Sequence, residues 1–437
     1  MKIAKPLGWV GIVRLGLVQS AIGAIVMLAT SLLNRVMVVE YALPAALPAG
    51  LVAWHYAVQL SRPAWGHGSD RGRRRTPWIV MGMGTLALGS MLAVAALGPL
   101  GARSAWGFAL AALAFSMIGA AVGAAGTSLL ALLATRVAPA RRAAAASITW
   151  IMMVAGIVVT AGIAGSLIDP FTLPRLQAVA GGVAGGAFVV AVLAIWGVEG
   201  RASAIVADDA APVPDFGAAL REIWADAAAR RFTAFVFLSM LAYSMQDLIL
   251  EPFAGLAFGF TPGESTRLSG LQHGGVLLGM ILAGVGGSAF GRRSAAGLRP
   301  WIIGGCVGSA LALAGLACAA QVGPGWPLAA NIALLGFANG VFAVAAIGAM
   351  MGLAGGGEGG REGIRMGVWG AAQAIAFGLG GLIGAVGVDV GRALTGSIAE
   401  SFTTVFGAEA LLFLAAASLA VRAGAAPVRA PLAAEPA

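Results

Sequence analysis

Long apolar runs separated by short polar stretches dominate the chain. Runs of spanning length fall at Leu15–Val39, Pro44–Leu60, Trp78–Leu97, Ala105–Leu133, Ser147–Ile168 and Ala178–Val198. After a polar interval they resume at Phe232–Leu250, Leu268–Val285, Trp301–Ala320, Leu328–Leu353, Gly367–Val388 and Val405–Val421. A helix needs about 20 predominantly apolar residues to cross a bilayer. The pattern therefore predicts an all-α membrane protein of about twelve transmembrane helices.

Composition removes the competing classes. Of 437 residues 59% are apolar and 10% charged, whereas soluble domains carry roughly 25% charged residues. Such a chain cannot cover a water-soluble surface. Its 66 glycines fit helices packed closely through small residues. Gly119 and Gly123, Gly181 and Gly185, Gly304 and Gly308, and Gly380 and Gly384 are each four apart within apolar runs, with chance spacing as the competing reading. Cys306 and Cys318 share one run, about 18 Å apart along a helix axis, too far for a disulfide. The N-terminus is basic and then apolar, but Arg14 interrupts its start and no small-residue cleavage site follows, so it reads as a retained first helix.

Charge fixes the expected orientation, because short loops rich in Lys and Arg stay in the cytoplasm. With both termini inside, all basic residues but Arg35, Arg103, Arg175, Arg267 and Arg392 fall on the cytoplasmic side. The net charge of +9 is then a matter of topology, and no nucleic-acid partner is inferred.

Landmarks recur in the two sets of runs. Pro77-Trp78-Ile79 opens the third and Pro300-Trp301-Ile302 the ninth; Trp150 and Asp169 bracket the fifth as Trp369 and Asp389 bracket the eleventh; Glu40 ends the first and Glu251 the seventh. This predicts two parallel six-helix repeats with a path between them. The expected organisation is an N-terminal half at 1–198, a cytoplasmic linker at 199–231, a C-terminal half at 232–421 and a cytoplasmic tail at 422–437. Within the linker, Phe216, Leu220, Ile223 and Trp224 share a helical face, with Asp215 placed to cap its start, as in a short surface-lying amphipathic helix.

The segment from Gly66 to Arg75, with Gly66, Asp70, Arg71, Arg73 and Arg74, resembles the signature loop of the major facilitator superfamily, shortened by one residue. Asp70 at a helix end can pair with an arginine or a helix N-terminus in one conformation and lose it in another, a conformational switch; a topology-fixing basic loop is the alternative. A narrower resemblance lies in Asn34-Arg35-Val36-Met37-Val38-Val39-Glu40, Gln246-Asp247-Leu248-Ile249-Leu250-Glu251-Pro252-Phe253, Phe337-Ala338-Asn339-Gly340-Val341-Phe342 and Trp369-Gly370-Ala371-Ala372-Gln373. These resemble the PucC/LhaA family, the bacteriochlorophyll delivery branch of that superfamily. The resemblance implies a major-facilitator-type fold in a bacterial intracytoplasmic photosynthetic membrane. It further implies a non-enzymatic assembly factor that carries bacteriochlorophyll as bound cargo to light-harvesting antenna polypeptides, with pigment-synthesis enzymes as further partners.

Ionisable groups in a bilayer are costly and usually face a cavity or a partner. Arg35, Glu40, Asp247 and Glu251 are therefore expected to form a charge network between the halves, with Gln246, Asn339 and Gln373 from the resembling motifs; Asp247 and Glu251, four apart, share a helical face. Headgroup-level charges are the alternative. His55 and His273 lie in corresponding runs, and a neutral imidazole can ligate the magnesium of a bacteriochlorin; an interior hydrogen-bonded histidine is the alternative, with Gln59 and Gln272 as partners. There is no Walker A loop and no zinc-ligand spacing. Two further readings stay open: a proton-coupled small-solute transporter using Asp247 or Glu251, and a pigment-free scaffold.

Overall fold

The computed structural model describes residues 7–62, 65, 74–138, 141–200, 227–290, 295–355 and 362–423, which form helices and connecting turns with no strand among them. The first half holds α1 (Trp9–Glu40), α2 (Ala46–Gln59), α3 (Thr76–Gly101), α4 (Ala105–Arg136), α5 (Arg142–Leu167) and α6 (Leu173–Ile195). The second begins with a broken helix, α7, made of Ala227–Met245, a 3-10 turn at Gln246–Leu248 and Leu250–Phe258. It continues with α8 (Pro262–Phe290), α9 (Ala295–Val322), α10 (Leu328–Gly355), α11 (Glu362–Thr395) and α12 (Ile398–Ala423).

Among the described residues ten helices are long and apolar enough to cross a membrane, and α7 makes an eleventh span if its two pieces count together. The chain is a multi-pass membrane protein. The departure from twelve is α2: its 14 residues extend about 21 Å at 1.5 Å per residue, short of a hydrocarbon core of roughly 30 Å. Pro44 lies in the loop before it rather than inside it. Flanked by α4 and α11, α2 is sheltered by protein.

The helices pack as one pattern used twice. α1 lies on α5 and α6, α2 on α4, and α3 on α4 and α6; six helices later, α7 lies on α11 and α12, α8 on α10, and α9 on α10 and α12. The halves meet along two seams, α5 with α8 and α2 with α11, which exchange under the same displacement. Glycine sets the distances: a Cβ at Gly119 would lie 2.5 Å from the His55 carbonyl and one at Gly384 2.6 Å from that of Met245. These two pairs, Gly119/Gly123 and Gly380/Gly384, sit in helix contacts, whereas Gly185 and Gly304 face open space, so spacing alone did not mark an interface. Cys306 is buried and Cys318 exposed, both free.

Short turns (α1–α2, α5–α6, α7–α8, α11–α12) share one face of the bundle; the opposite, basic face carries Arg74, Arg75 and Arg136. There the N-terminal half is tied to itself. Glu199, just beyond α6, accepts the Arg75 and Thr76 amides at 2.6 and 2.8 Å and so caps α3. Arg14 of α1 donates to the Ala194 carbonyl at 2.9 Å and to that of Trp196 at 2.5 Å. Most of the linker, 201–226, its expected surface helix and the tail beyond 423 lie outside the described residues.

Candidate functional site

The polar centre begins in α1, which is not regular. π-helical turns at Leu28–Leu32 and Val36–Glu40 flank Leu33–Arg35. Such widened turns are rare and commonly mark functional sites. They carry Ser31, Asn34 and Arg35 into the protein, the last two only 1% and 2% exposed. Arg35 Nη1 donates to Glu40 Oε1 at 2.5 Å, Nη2 to the Phe260 carbonyl at 2.6 Å and Nε to Ser265 Oγ at 3.1 Å. One guanidinium thus joins α1 to the α7–α8 turn and to α8. A buried fork of this kind needs all its donors occupied.

The break in α7 follows from Pro252. A proline ring collides with the carbonyl four residues back and offers no N–H to it. That carbonyl belongs to Leu248, and the Asn34 side-chain amide takes it at 2.7 Å. The helix bends by 41° there, with a 3-10 turn at Gln246–Leu248. The break corrects one expectation: Asp247 and Glu251 do not share a face. Glu251, 3% exposed, turns toward α1, accepts a hydrogen bond from Ser31 and stands within electrostatic reach of Arg35. Ser31 also meets Ser269 of α8 at 3.1 Å.

Asp247 goes to the other side. It is partly exposed and within electrostatic reach of Tyr56 on α2, Tyr243 on α7 and Glu409 on α12. Phe377 of α11 fills the space between the two tyrosines, with ring centroids 6.2 Å from Tyr56 and 5.8 Å from Tyr243. Two of the chain's 3 tyrosines therefore join one aromatic, acidic cluster where the halves meet. Glu409 is fully buried and has the Gln246 backbone as its neighbouring donor, with no cation paired to it among the described residues; both side-chain amide atoms of Gln246 are buried without a hydrogen-bond partner there. The expected network of four charges is thus two separate clusters. Among the described residues Arg35–Glu40 is the one direct ion pair, and no Arg35–Asp247 contact forms.

Other expected residues are dispersed. Asn339 is fully buried inside the C-terminal half, accepting from Ser309 at 2.7 Å, a tie between α9 and α10 rather than a member of the centre. Gln373 is partly exposed on α11. His55 is 1% exposed, receives the Gln59 amide at 2.9 Å and packs edge-on against Tyr56. In this conformation its ring is enclosed by protein. His273 donates from Nδ1 to the Ser269 carbonyl at 2.9 Å, a partner other than Gln272, and is partly exposed, so its Nε2 remains for a ligand. Gly66, Asp70, Arg71 and Arg73 lie outside the described residues; Arg74 is exposed.

Three carboxylates escaped the sequence reading, two of them with evident work as helix caps. Glu409 was visible as a lone acid in an apolar run. Asp169 and Asp389 were seen as landmarks, without a role.

The family described as PUCC protein matches residues 32–426, spanning the broken α7, the aromatic cluster and α12. The chain belongs to the PUCC family. Relatives include the Rhodobacter capsulatus protein named bacteriochlorophyll synthase 44.5 kDa chain, 53% identical over 418 residues with 95% of each chain covered. Another is a protein named PucC from the same organism, 30% identical with 94% of this chain and 91% of that one covered. Solved transporter structures share the fold. A bacterial homologue of the human lysosomal transporter Spinster, inward-facing and unoccupied, aligns with a TM-score of 0.70 at 15% identity, covering 94% of this chain and 96% of that one. Peptide transporter POT in complex with sulfate aligns at 0.68 and 13%, covering 96% and 97%. At these identities the likeness establishes the fold alone, and the PUCC chain has the major-facilitator-type arrangement.

Proposed function

We propose that this chain handles bacteriochlorophyll in a bacterial photosynthetic membrane, binding the pigment and passing it to light-harvesting antenna polypeptides without catalysing a reaction. The observation that carries this reading is the 53% identity, over nearly the full length of both chains, to the relative named as a chain of bacteriochlorophyll synthase. A polytopic chain with transporter architecture has the form of a carrier for a hydrophobic molecule within the bilayer, and its association with pigment synthesis would be as a partner that removes product. The basic face is taken as cytoplasmic with both termini on it.

The aromatic cluster supports cargo binding. Tyr56, Tyr243 and Phe377 offer flat aromatic faces suited to a macrocycle, and Asp247 offers a partly exposed carboxylate; apart from this cluster, His273 on α8 keeps an imidazole nitrogen suited to a magnesium centre. A native-membrane pull-down of the tagged chain with pigment extraction tests the reading. Bacteriochlorophyll and antenna polypeptides should both be recovered. A colourless preparation from pigment-rich membranes would contradict it.

A second reading has its own support. Asp247 and Glu409 are carboxylates in spans without a cationic partner among the described residues, as in a cation-coupled solute transporter. That reading predicts a colourless protein and solute uptake into vesicles driven by a proton gradient.

A further inference from the structure

The two seams are fastened at the short-loop face by the same device. Asp169 follows the end of α5 in the N-terminal half. Its Oδ2 accepts Thr261 Oγ1 at 2.6 Å and its Oδ1 accepts the Gly263 amide at 3.1 Å, at the N-terminus of α8 in the C-terminal half. Asp389 lies near the end of α11 in the C-terminal half. Its Oδ1 accepts the Ala45 amide at 3.0 Å and its Oδ2 the Ala46 amide at 2.7 Å, at the N-terminus of α2 in the N-terminal half. In both cases the capped helix starts at or just after a proline, Pro262 or Pro44, and the carboxylate uses both oxygens. Amides of a first helical turn have no partner within their own helix, and the turn favours negative charge. Helices are ordinarily capped by a residue of their own chain segment; here Asp169 adds to the capping box that Thr261 and Glu264 form on α8, and Asp389 caps α2, each from the opposite half.

Both carboxylates are partly exposed, on the walls of cavities of about 410 Å³ and 590 Å³ that share Val39. Water can therefore replace each bond once the helices separate. We infer that Asp169 and Asp389 form a two-point latch holding the short-loop face closed, released as a unit when the halves rock apart. Because one cap crosses the α5–α8 seam and the other the α2–α11 seam, opening this face breaks both at once. Glu199 supplies the contrast, a carboxylate that caps α3 within one half and stays in place during such a motion.

The test is a distance measurement on the purified full-length chain with Cys306 and Cys318 replaced by serine. Spin labels are placed at Gln177 and Glu400, both exposed on the short-loop face in opposite halves. Loss of a helix cap shifts an equilibrium by about five-fold. Asp169→Asn and Asp389→Asn should each raise the ratio of long to short distances by about that factor, and the double variant by about 25-fold, since contributions broken in one transition add. Glu199→Gln should lower the melting temperature and leave the distances unchanged. Thr261→Val, which removes one bond to Asp169 and keeps the carboxylate, should give a smaller shift of the same sign, and it reports even if the double variant fails to fold. Wild-type distances in the folded aspartate variants or in Thr261→Val, a shift with one aspartate but not the other, or equal opening by Glu199→Gln would each overturn the latch.

Discussion

The two seams share an architecture and differ in what fills them. Along α5–α8 the backbones nearly touch: a Cβ at Gly165 would lie 2.9 Å from the Gly263 carbonyl, and one at Gly270 3.0 Å from the Ala161 methyl. Beside this seam, α1 adds the buried Arg35 fork and the Ser31–Glu251 contact. Along α2–α11 the contact is aromatic, Tyr56 on Phe377, and it leaves Tyr56, Tyr243 and Asp247 partly exposed. A seam made of backbone contacts and a satisfied buried charge is hard to deform, because packed interfaces do not yield continuously. One lined by rings and unpaired acids can admit a ligand. The pseudo-symmetric pair thus divides its labour, with one seam closely packed and the other a candidate binding wall, while both are fastened at the short-loop face by the same device.

The largest break in this contrast should come from Arg35→Ala. Removing one partner of a buried pair costs about 3–5 kcal/mol, and Ser265, Phe260 and Glu40 all lose a donor; thermal unfolding in detergent should show the greatest loss of the series. Exchange of charge between Arg35 and Asp247 should rescue nothing, since these two do not meet.

Next, Gly263→Ala places a methyl group against the Asp169 carboxylate and the Gly165 carbonyl and should cost about 1–3 kcal/mol by overpacking. On the other seam Gly378→Ala meets Tyr56 Cβ at an ordinary 3.4 Å and should stay within about 0.5 kcal/mol. Equal losses from the two would erase the distinction between the seams.

Glu40→Gln should cost about 1 kcal/mol, because the amide oxygen can still accept from Arg35 and Glu251 stays within electrostatic reach of the guanidinium. The smallest effect on folding, within about 0.5 kcal/mol, belongs to Tyr56→Phe. That change should nevertheless lower cargo retention, measured as pigment recovered per chain, because the hydroxyl lies beside Asp247 rather than in the packed core.

What the sequence revealed followed from short-range chemistry. Apolar run length exposed the helices, and recurring Pro-Trp-Ile elements exposed the repeat. Pro252 disturbs regular hydrogen bonding, and the break falls at Gln246–Leu248, before Glu251 rather than beyond it, where Asn34 takes the Leu248 carbonyl. The consequence of that break was hidden, since four-residue spacing implies a shared face only in an unbroken helix. The π-helical turns of α1 have no residue signature, so nothing told that Arg35 would reach α8 rather than Asp247. The division of the acids into two clusters, and the crossing of Asp169 and Asp389 to helices of the other half, depend on which helices meet, which a single sequence does not contain. Glu409 is different: a lone carboxylate in an apolar run is costly wherever it sits, and that cost was legible in α12.

The most direct measurement of the central claim is the pigment content of the chain purified in mild detergent from cells that make bacteriochlorophyll. The account predicts near-stoichiometric bacteriochlorophyll co-eluting with the folded wild-type protein, and its loss from a Tyr56→Ala, Tyr243→Ala variant that elutes and melts like wild type. A folded, colourless wild-type protein, or one whose pigment is indifferent to both tyrosines, would contradict it.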